Sequence, residues 1–198
     1  VIILGIGGGS ASGKTTITQQ LVDGLGDRAA LLSHDRYYRP LPPAFHDHPE
    51  TYNFDEPAAL ESSLLATHLH ALRRGERIDV PHYDYASHDR SGSESMDPAE
   101  IVVVEGILVL AEHALRDAFD LSVFVACPDA VRLERRTQRD VVERGRSRES
   151  VLEQYENTVR PMHDKWVAPC EALADLVLDG TTDVSGNVRR ILERLDRV

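Results

Sequence analysis

Gly8-Gly9-Ser10-Ala11-Ser12-Gly13-Lys14-Thr15 fits the pattern G-x-x-x-x-G-K-[ST]. Its glycines let the backbone curl until several N–H groups point inward at one phosphate. Upstream, Val1-Ile-Ile-Leu-Gly-Ile-Gly7 reads as a buried strand that runs out into glycines. Downstream, Ile17, Leu21, Val22 and Leu25 share one face of a helix predicted from Gly13 to about Leu25. Strand, loop and helix are the context the pattern needs, and the helix adds its positive N-terminus to the cradle. Lys14 is then placed for the β- and γ-phosphates and the Thr15 hydroxyl for Mg²⁺. The stretch therefore predicts a nucleoside triphosphate with Mg²⁺. It says nothing of what receives the phosphate.

Further strands and helices alternate along the chain. Ala29–Ser33 reads as a second strand, and Arg36–Asn53, with four prolines, as loop. Leucines at 60, 64, 65, 69 and 72 predict an amphipathic helix over Pro57–Arg74, ended by Gly75. Arg77–Arg90 reads as extended pieces around Pro81 and Ser91–Pro98 as a polar turn, together a β-hairpin standing off the main sheet. Ile101–Glu105 and Leu121–Cys127 are apolar strands. A helix follows from Pro128, which suits a first helical turn, and another runs from about Glu149 to Trp166. Leu176–Leu178 is a last strand and Val184–Leu195 a last helix. This alternation predicts an α/β fold, a parallel sheet with helices on both faces. The 198 residues suit a single domain, and no repeat breaks them up.

With 41% apolar and 28% charged residues the chain is of ordinary globular composition, so collagen-like and disordered classes are excluded. No apolar run approaches the roughly 20 residues that span a bilayer, and Val1–Gly9 lacks the basic start of a signal peptide. The chain opens on Val1 rather than Met, so a natural start upstream is expected. Cys127 and Cys170 make no disulfide framework and are expected as reduced, buried thiols, which favours a cytoplasmic home. A net charge of −11 speaks against non-specific nucleic-acid binding. Against that acidic background, seven arginines (Arg132, Arg135, Arg136, Arg139, Arg144, Arg146 and Arg148) fall in one stretch. The cluster suggests a small anionic ligand.

Ligands of an open parallel sheet sit at the carboxyl ends of its strands. Two predicted strands end there in acids, Asp35 and Glu105. One acid suits Mg²⁺ coordination; the other suits orienting an attacking hydroxyl and accepting its proton. Arg132, Arg135, Arg136 and Arg139 recur at helical spacing and are expected to share one face. They read either as a solvated face salted by Glu134, Asp140 and Glu143, or as a lid closing over transferring phosphate and excluding water. His46-Asp-His48 stands in a Pro-rich loop without further ligands, and Trp166 reads as core.

With these pieces in place the chain resembles the uridine kinase (uridine–cytidine kinase) family along nearly its whole length. The resemblance is carried by Gly8–Thr16, Asp35-Arg-Tyr-Tyr, Tyr52-Asn-Phe-Asp-Glu-Pro57, Val80-Pro-His-Tyr-Asp-Tyr-Ala-Ser-His-Asp-Arg90, Val104-Glu-Gly-Ile-Leu108, Arg139-Asp-Val-Val-Glu-Arg-Gly-Arg146, Gln154-Tyr and Val159-Arg-Pro161. It implies a P-loop NTPase fold with a β-hairpin insertion over residues 77–98 that binds nucleoside and an arginine-rich helical lid over 132–148. It implies ATP- or GTP-dependent phosphorylation of uridine and cytidine at the 5′-hydroxyl. By that pattern Gly8, Ser10, Ala11, Ser12, Gly13, Lys14, Thr15 and Thr16 hold the nucleotide phosphates, with Arg139 and Arg144. Lys14, Asp35 and Arg139 carry catalysis, Asp35 as base; Thr15, Asp35 and Glu105 lie near Mg²⁺. Asp55 grips the ribose with Arg136, Tyr83 and His88 meet the base edge, Tyr85 stacks near it, and Arg146 and Gln154 lie near the nucleoside. The resemblance also implies a homotetramer inhibited by UTP or CTP.

The chain departs from the family pattern at Arg36, where a small Ser is usual, at Ala126, where an acid is usual, and at Val177-Leu-Asp-Gly180, which lacks the usual Pro-Arg-Gly. Arg36 is expected to alter the mouth of the acceptor site. Two other readings stay open: a related small-molecule kinase with another acceptor, phosphoribulokinase- or pantothenate kinase-like, and a nucleotide-dependent regulator. Against the regulator, the chain has no Asn-Lys-x-Asp motif.

Overall fold

A computed structural model describes residues 1–198. Its main sheet has five strands, β1 (Ile2–Gly7), β2 (Ala29–Ser33), β5 (Ile101–Gly106), β6 (Leu121–Ala126) and β7 (Leu176–Asp179), in the order β2-β5-β1-β6-β7. All neighbours are parallel. The apolar runs follow from this: strands covered on both faces need not alternate. Along β5, Val102 and Val104 enter one buried cluster, and Ile101 and Val103 enter the other on the opposite face. Each such fully buried side chain contributes about 1.5–3 kcal/mol. α1 (Lys14–Leu25) and α7 (Val184–Leu195) cover one face; α2 (Ser62–Arg73) packs on the other, beside the short α3 (His113–Arg116).

A two-stranded antiparallel hairpin, β3 (Ile78–Asp84) and β4 (Asp89–Met96), stands outside this sheet. The polar turn expected over Ser91–Pro98 is instead mostly strand, and the hairpin turns at residues 85–88. β4 shows no apolar alternation because nearly all of it faces solvent, so only its pairing with β3 makes it a strand. The helix expected from Pro57 begins at Ser62. Pro57–Ala59 forms a 3₁₀ turn, and Leu60 bridges to Tyr38 in an extended conformation.

The arginine segment opens on α4 (Asp129–Val142), with Pro128 at its N-cap. After a turn, α5 (Arg148–Gln154) runs on through a π-helical turn at Tyr155–Val159, the one-turn α6 (Arg160–Met162) and a second π turn at His163–Val167. The uniform helix expected over Glu149–Trp166 is thus interrupted. Pro161 donates no N–H, and the hydrogen-bond ladder widens on either side of it. No helix is long and apolar enough to cross a membrane. Cys170 is buried as expected; Cys127 is only half-buried, and both are free thiols.

A candidate active site at the phosphate loop

The loop between β1 and α1 is built for an anion. Gly13 caps α1 in the left-handed region, at φ 98°, and no side chain caps the helix, so its first N–H groups stay open. The loop rests on the end of β7: a Cβ on Gly180 would collide with the Ser12 carbonyl oxygen. Arg135 closes over this contact, its Nη1 donating to the Gly180 carbonyl at 2.9 Å. Arg132 lies beneath the loop at Gly9, buried to 2% exposure and paired with Asp129 at 2.9 Å. The four arginines of α4 therefore do not share one face. Arg132 and Arg136 are buried, while Arg135 is exposed.

Sheet register brings the acids to the loop. Glu105 pairs with Ile6 of β1 on one side and Ser33 of β2 on the other. Its carboxylate accepts from Ser33 Oγ at 3.1 Å and lies 3.4 Å from Thr15 Oγ1. Two residues past Ser33, Asp35 sits half-buried in a 3₁₀ turn (His34–Tyr37). Burial, with Glu105 beside it, pushes its carboxyl up to about 6, while Lys14 pulls the other way. His34 anchors this turn from the core: its Nε2 meets Ser62 Oγ at 3.1 Å, and burial pushes the ring down to about 3, so it is neutral. A Thr hydroxyl, two carboxylates and incoming phosphates form the hard oxygen set that Mg²⁺ prefers. Glu105 is among the groups that raise the Asp35 carboxyl, a like-charge repulsion that a bound divalent cation would relieve.

Beyond Asp35 lies an aromatic group drawn from two elements. The hairpin supplies Tyr83, Tyr85 and His88; the Pro-rich loop supplies Tyr38, Tyr52 and Phe54. His88 stacks on Phe54, with centroids 5.1 Å apart and planes at 26°. Tyr38 contacts both Phe54 and Tyr83, at 5.8 and 5.4 Å. Tyr85 meets Tyr83 edge-on at 5.3 Å and remains 60% exposed, with its hydroxyl in the field of Asp35 and Glu105. Tyr38 and Phe54 lie in the stretches Asp35-Arg-Tyr-Tyr and Tyr52-Asn-Phe-Asp, but the residues alone assign neither a role. Their signal was aromatic spacing in a loop, which carries no periodicity.

Two arginines fasten the hairpin to the Asp35 turn. Arg36 donates from Nε to the Pro81 carbonyl at 2.8 Å and from Nη1 to Glu94 at 3.1 Å. Arg90 donates to the Tyr38 and Tyr37 carbonyls, both at 3.0 Å, and to Glu61 at 2.6 Å. Arg36, expected to alter the mouth of the acceptor site, is directed at the hairpin strands.

The arginine segment reaches the loop through Arg136. Its Nη1 donates to Ser10 Oγ and its Nη2 to Gln154 Oε1, each at 3.0 Å. Arg146 donates to the same Gln154 oxygen at 2.6 Å. Burial pushes the Asp55 carboxyl up, opposed by Arg136 nearby. Asp140, which the solvated-face alternative placed among exposed salting acids, is wholly buried, with Arg136, Arg139, Arg144 and Arg146 all within 4 Å.

Residues 3–185 match the phosphoribulokinase / uridine kinase family model. The chain belongs to that family. Among curated relatives, a uridine kinase of Chloroflexus aurantiacus is 45% identical over 90% of this chain and 87% of its own. A uridine kinase of Halobacterium salinarum is 38% identical over 93% of this chain and 83% of its own. Among solved structures, a possible uridine kinase from Bacillus stearothermophilus superposes with a TM-score of 0.65 at 20% identity, covering 90% of this chain and 88% of that one. The phosphoribulokinase of Rhodobacter spheroides also gives 0.65, at 14% identity, covering 91% and 72%. These likenesses establish a phosphoribulokinase / uridine kinase fold, and the family is one of nucleotide-using kinases.

Proposed function

We propose that the protein transfers the terminal phosphoryl group of ATP or GTP to the 5′-hydroxyl of uridine and cytidine, giving UMP and CMP. The observation that carries this reading is one juxtaposition: a half-buried carboxylate, Asp35, between a phosphate loop and a cluster of aromatic rings. The naming of relatives at 38–45% identity as uridine kinases supports it.

In this reading the loop amides from Gly8 to Thr16, with Lys14, cradle the donor phosphates, and Arg139 and Arg144 neutralise charge on the moving phosphoryl group. Thr15, Glu105 and Asp35 would hold Mg²⁺, which supplies further charge neutralisation to those phosphates when bound. Asp35, ionised at neutral pH, orients the 5′-hydroxyl and takes its proton as the O5′–P bond forms and the bond to the leaving phosphate oxygen breaks. Asp55 and Arg136 hold the ribose diol, with Arg146 and Gln154 alongside. Tyr85 offers a face to the base. A neutral imidazole carries one donor and one acceptor nitrogen, so His88 with Tyr83 can meet either O4 of uridine or N4 of cytidine.

The whole chain then works as one kinase domain, with residues 77–98 as the nucleoside-binding hairpin and 132–148 as a lid that excludes water. The resemblance extends the reading to pyrimidine salvage by a cytoplasmic homotetramer under UTP or CTP feedback. The position of transfer is tested by incubating uridine with Mg·ATP and resolving the products by ³¹P NMR. The reading predicts the 5′-monophosphate alone; a 2′- or 3′-phosphate, or turnover of uridine without cytidine, contradicts it.

A further inference from the structure

Asp140 is the one carboxylate at the centre of the arginine segment, and its two oxygens face different partners. Oδ1 accepts from Arg139, through Nε at 2.9 Å and Nη2 at 2.8 Å, and lies 3.5 Å from Arg144 Nη1. Oδ2 faces Arg136 Nε at 3.6 Å and Arg146 Nη1 at 3.8 Å. The first pair belongs to the donor side in the function proposed above, the second to the acceptor side. Arg136 and Arg146 also converge on Gln154 Oε1. The turn after α4 makes this possible: Gly145, at φ 64°, reverses the chain, and the Arg146 amide bonds the Asp140 carbonyl at 3.1 Å.

We propose that Asp140 is a positioning residue that couples nucleotide binding to nucleoside binding by sharing one carboxylate between the two pairs of arginines. The proposal rests on the nucleoside kinase reading. Its physical basis is the asymmetry of the carboxylate. The Oδ1 side is fully engaged. The Oδ2 side is slack, and both Oδ2 and Arg136 Nε are buried without a hydrogen-bond partner. An unsatisfied buried pair gains by tightening. Donor phosphates compete with Oδ1 for Arg139 and Arg144. As those arginines turn to phosphate, the carboxylate is left to Arg136 and Arg146 and holds them more firmly. That fixes the groups that grip the ribose. Linkage makes the effect reciprocal, so bound nucleoside tightens nucleotide to the same degree. Four guanidiniums on one carboxylate also leave the site strongly positive, so Asp140 gathers the arginines without cancelling them.

The test is calorimetric titration of uridine into the protein, with and without a non-hydrolysable Mg·ATP analogue, for wild type and Asp140→Asn. Asparagine keeps the shape and one oxygen and removes the charge. In wild type the analogue is expected to tighten uridine by about tenfold, within the ordinary range for coupled sites. In Asp140→Asn both ligands still bind, and the coupling falls below about twofold. A purely structural carboxylate would lower the melting temperature and leave that ratio unchanged. Arg146→Lys, in the exposed turn, is the second variant: it loses the fork that spans Asp140 and Gln154, and its coupling must fall too. Wild-type coupling in either folded variant, or no coupling in wild type, overturns the proposal. Failure of uridine to bind wild type at all would instead strike the nucleoside reading, and the coupling would go with it.

Discussion

Asp35 holds a carboxyl that loses its proton only near pH 6, because burial and the neighbouring Glu105 outweigh Lys14. For the proton acceptor proposed above, this sets a working range. kcat/KM for uridine should fall at acid pH as Asp35 takes up its proton, with a midpoint below about 6 because bound Mg²⁺ favours the ionised carboxylate, and Asp35→Asn should lower kcat by at least 100-fold, as loss of a general base typically does. The same shift has a sign for stability. The folded pKa lies above the unfolded one, so the native state holds the proton more tightly. The resulting stability is full below the unfolded pKa and is lost as pH rises through the folded value. Asp35→Asn removes that loss. At pH 7.5 it should melt higher than wild type while being inactive, each kcal/mol recovered being worth roughly 2–4 °C in a chain of this size. A lower melting temperature for the variant at that pH would show that ionised Asp35 is stabilised by contacts not described above.

In the proposed function the hairpin is the element whose placement decides the acceptor pocket, and arginines on both sides of the joint fix it. Arg36 reaches out from the Asp35 turn to the hairpin; Arg90 reaches back from the hairpin to the carbonyls of Tyr37 and Tyr38. Arg36→Ala should raise KM for uridine several-fold, leave KM for the nucleotide within about twofold, and cost about 1.5–3 kcal/mol in urea unfolding for its charged hydrogen bonds. Equal changes in both KM values would place Arg36 in a different role. Much of this layout was legible beforehand. The strands with apolar runs, the helix after the glycine loop and both strand-end acids stand where the residues put them, because their signals are local. The second hairpin strand was not legible: Asp89–Met96 is polar and exposed, and nothing in it differs from a turn until β3 pairs with it. Asp140 was not legible either. A carboxylate among arginines reads as a surface salt partner, and its burial exists only once the turn at Gly145 folds Arg144 and Arg146 back over it.

At the scale of the whole molecule, a chain of net charge −11 brings arginines of α4 against the phosphate loop and the end of β7. Elsewhere arginines serve the scaffold. Arg190 and Arg194 of α7 donate to the carbonyl of Val177 in β7 and to that of Asp175 just before it, at 3.1 and 3.4 Å, tying the helix to the strand. The family takes in phosphoribulokinases as well as uridine kinases, so the fold alone does not name the acceptor. The direct measurement is therefore nucleoside diphosphate release from Mg·ATP against a panel of uridine, cytidine, adenosine, ribulose 5-phosphate and pantothenate, with Asp35→Asn run beside wild type. The account predicts stimulation by uridine and by cytidine, none by the other three, and none in the variant. Stimulation by ribulose 5-phosphate or pantothenate, or by no acceptor at all, would contradict it.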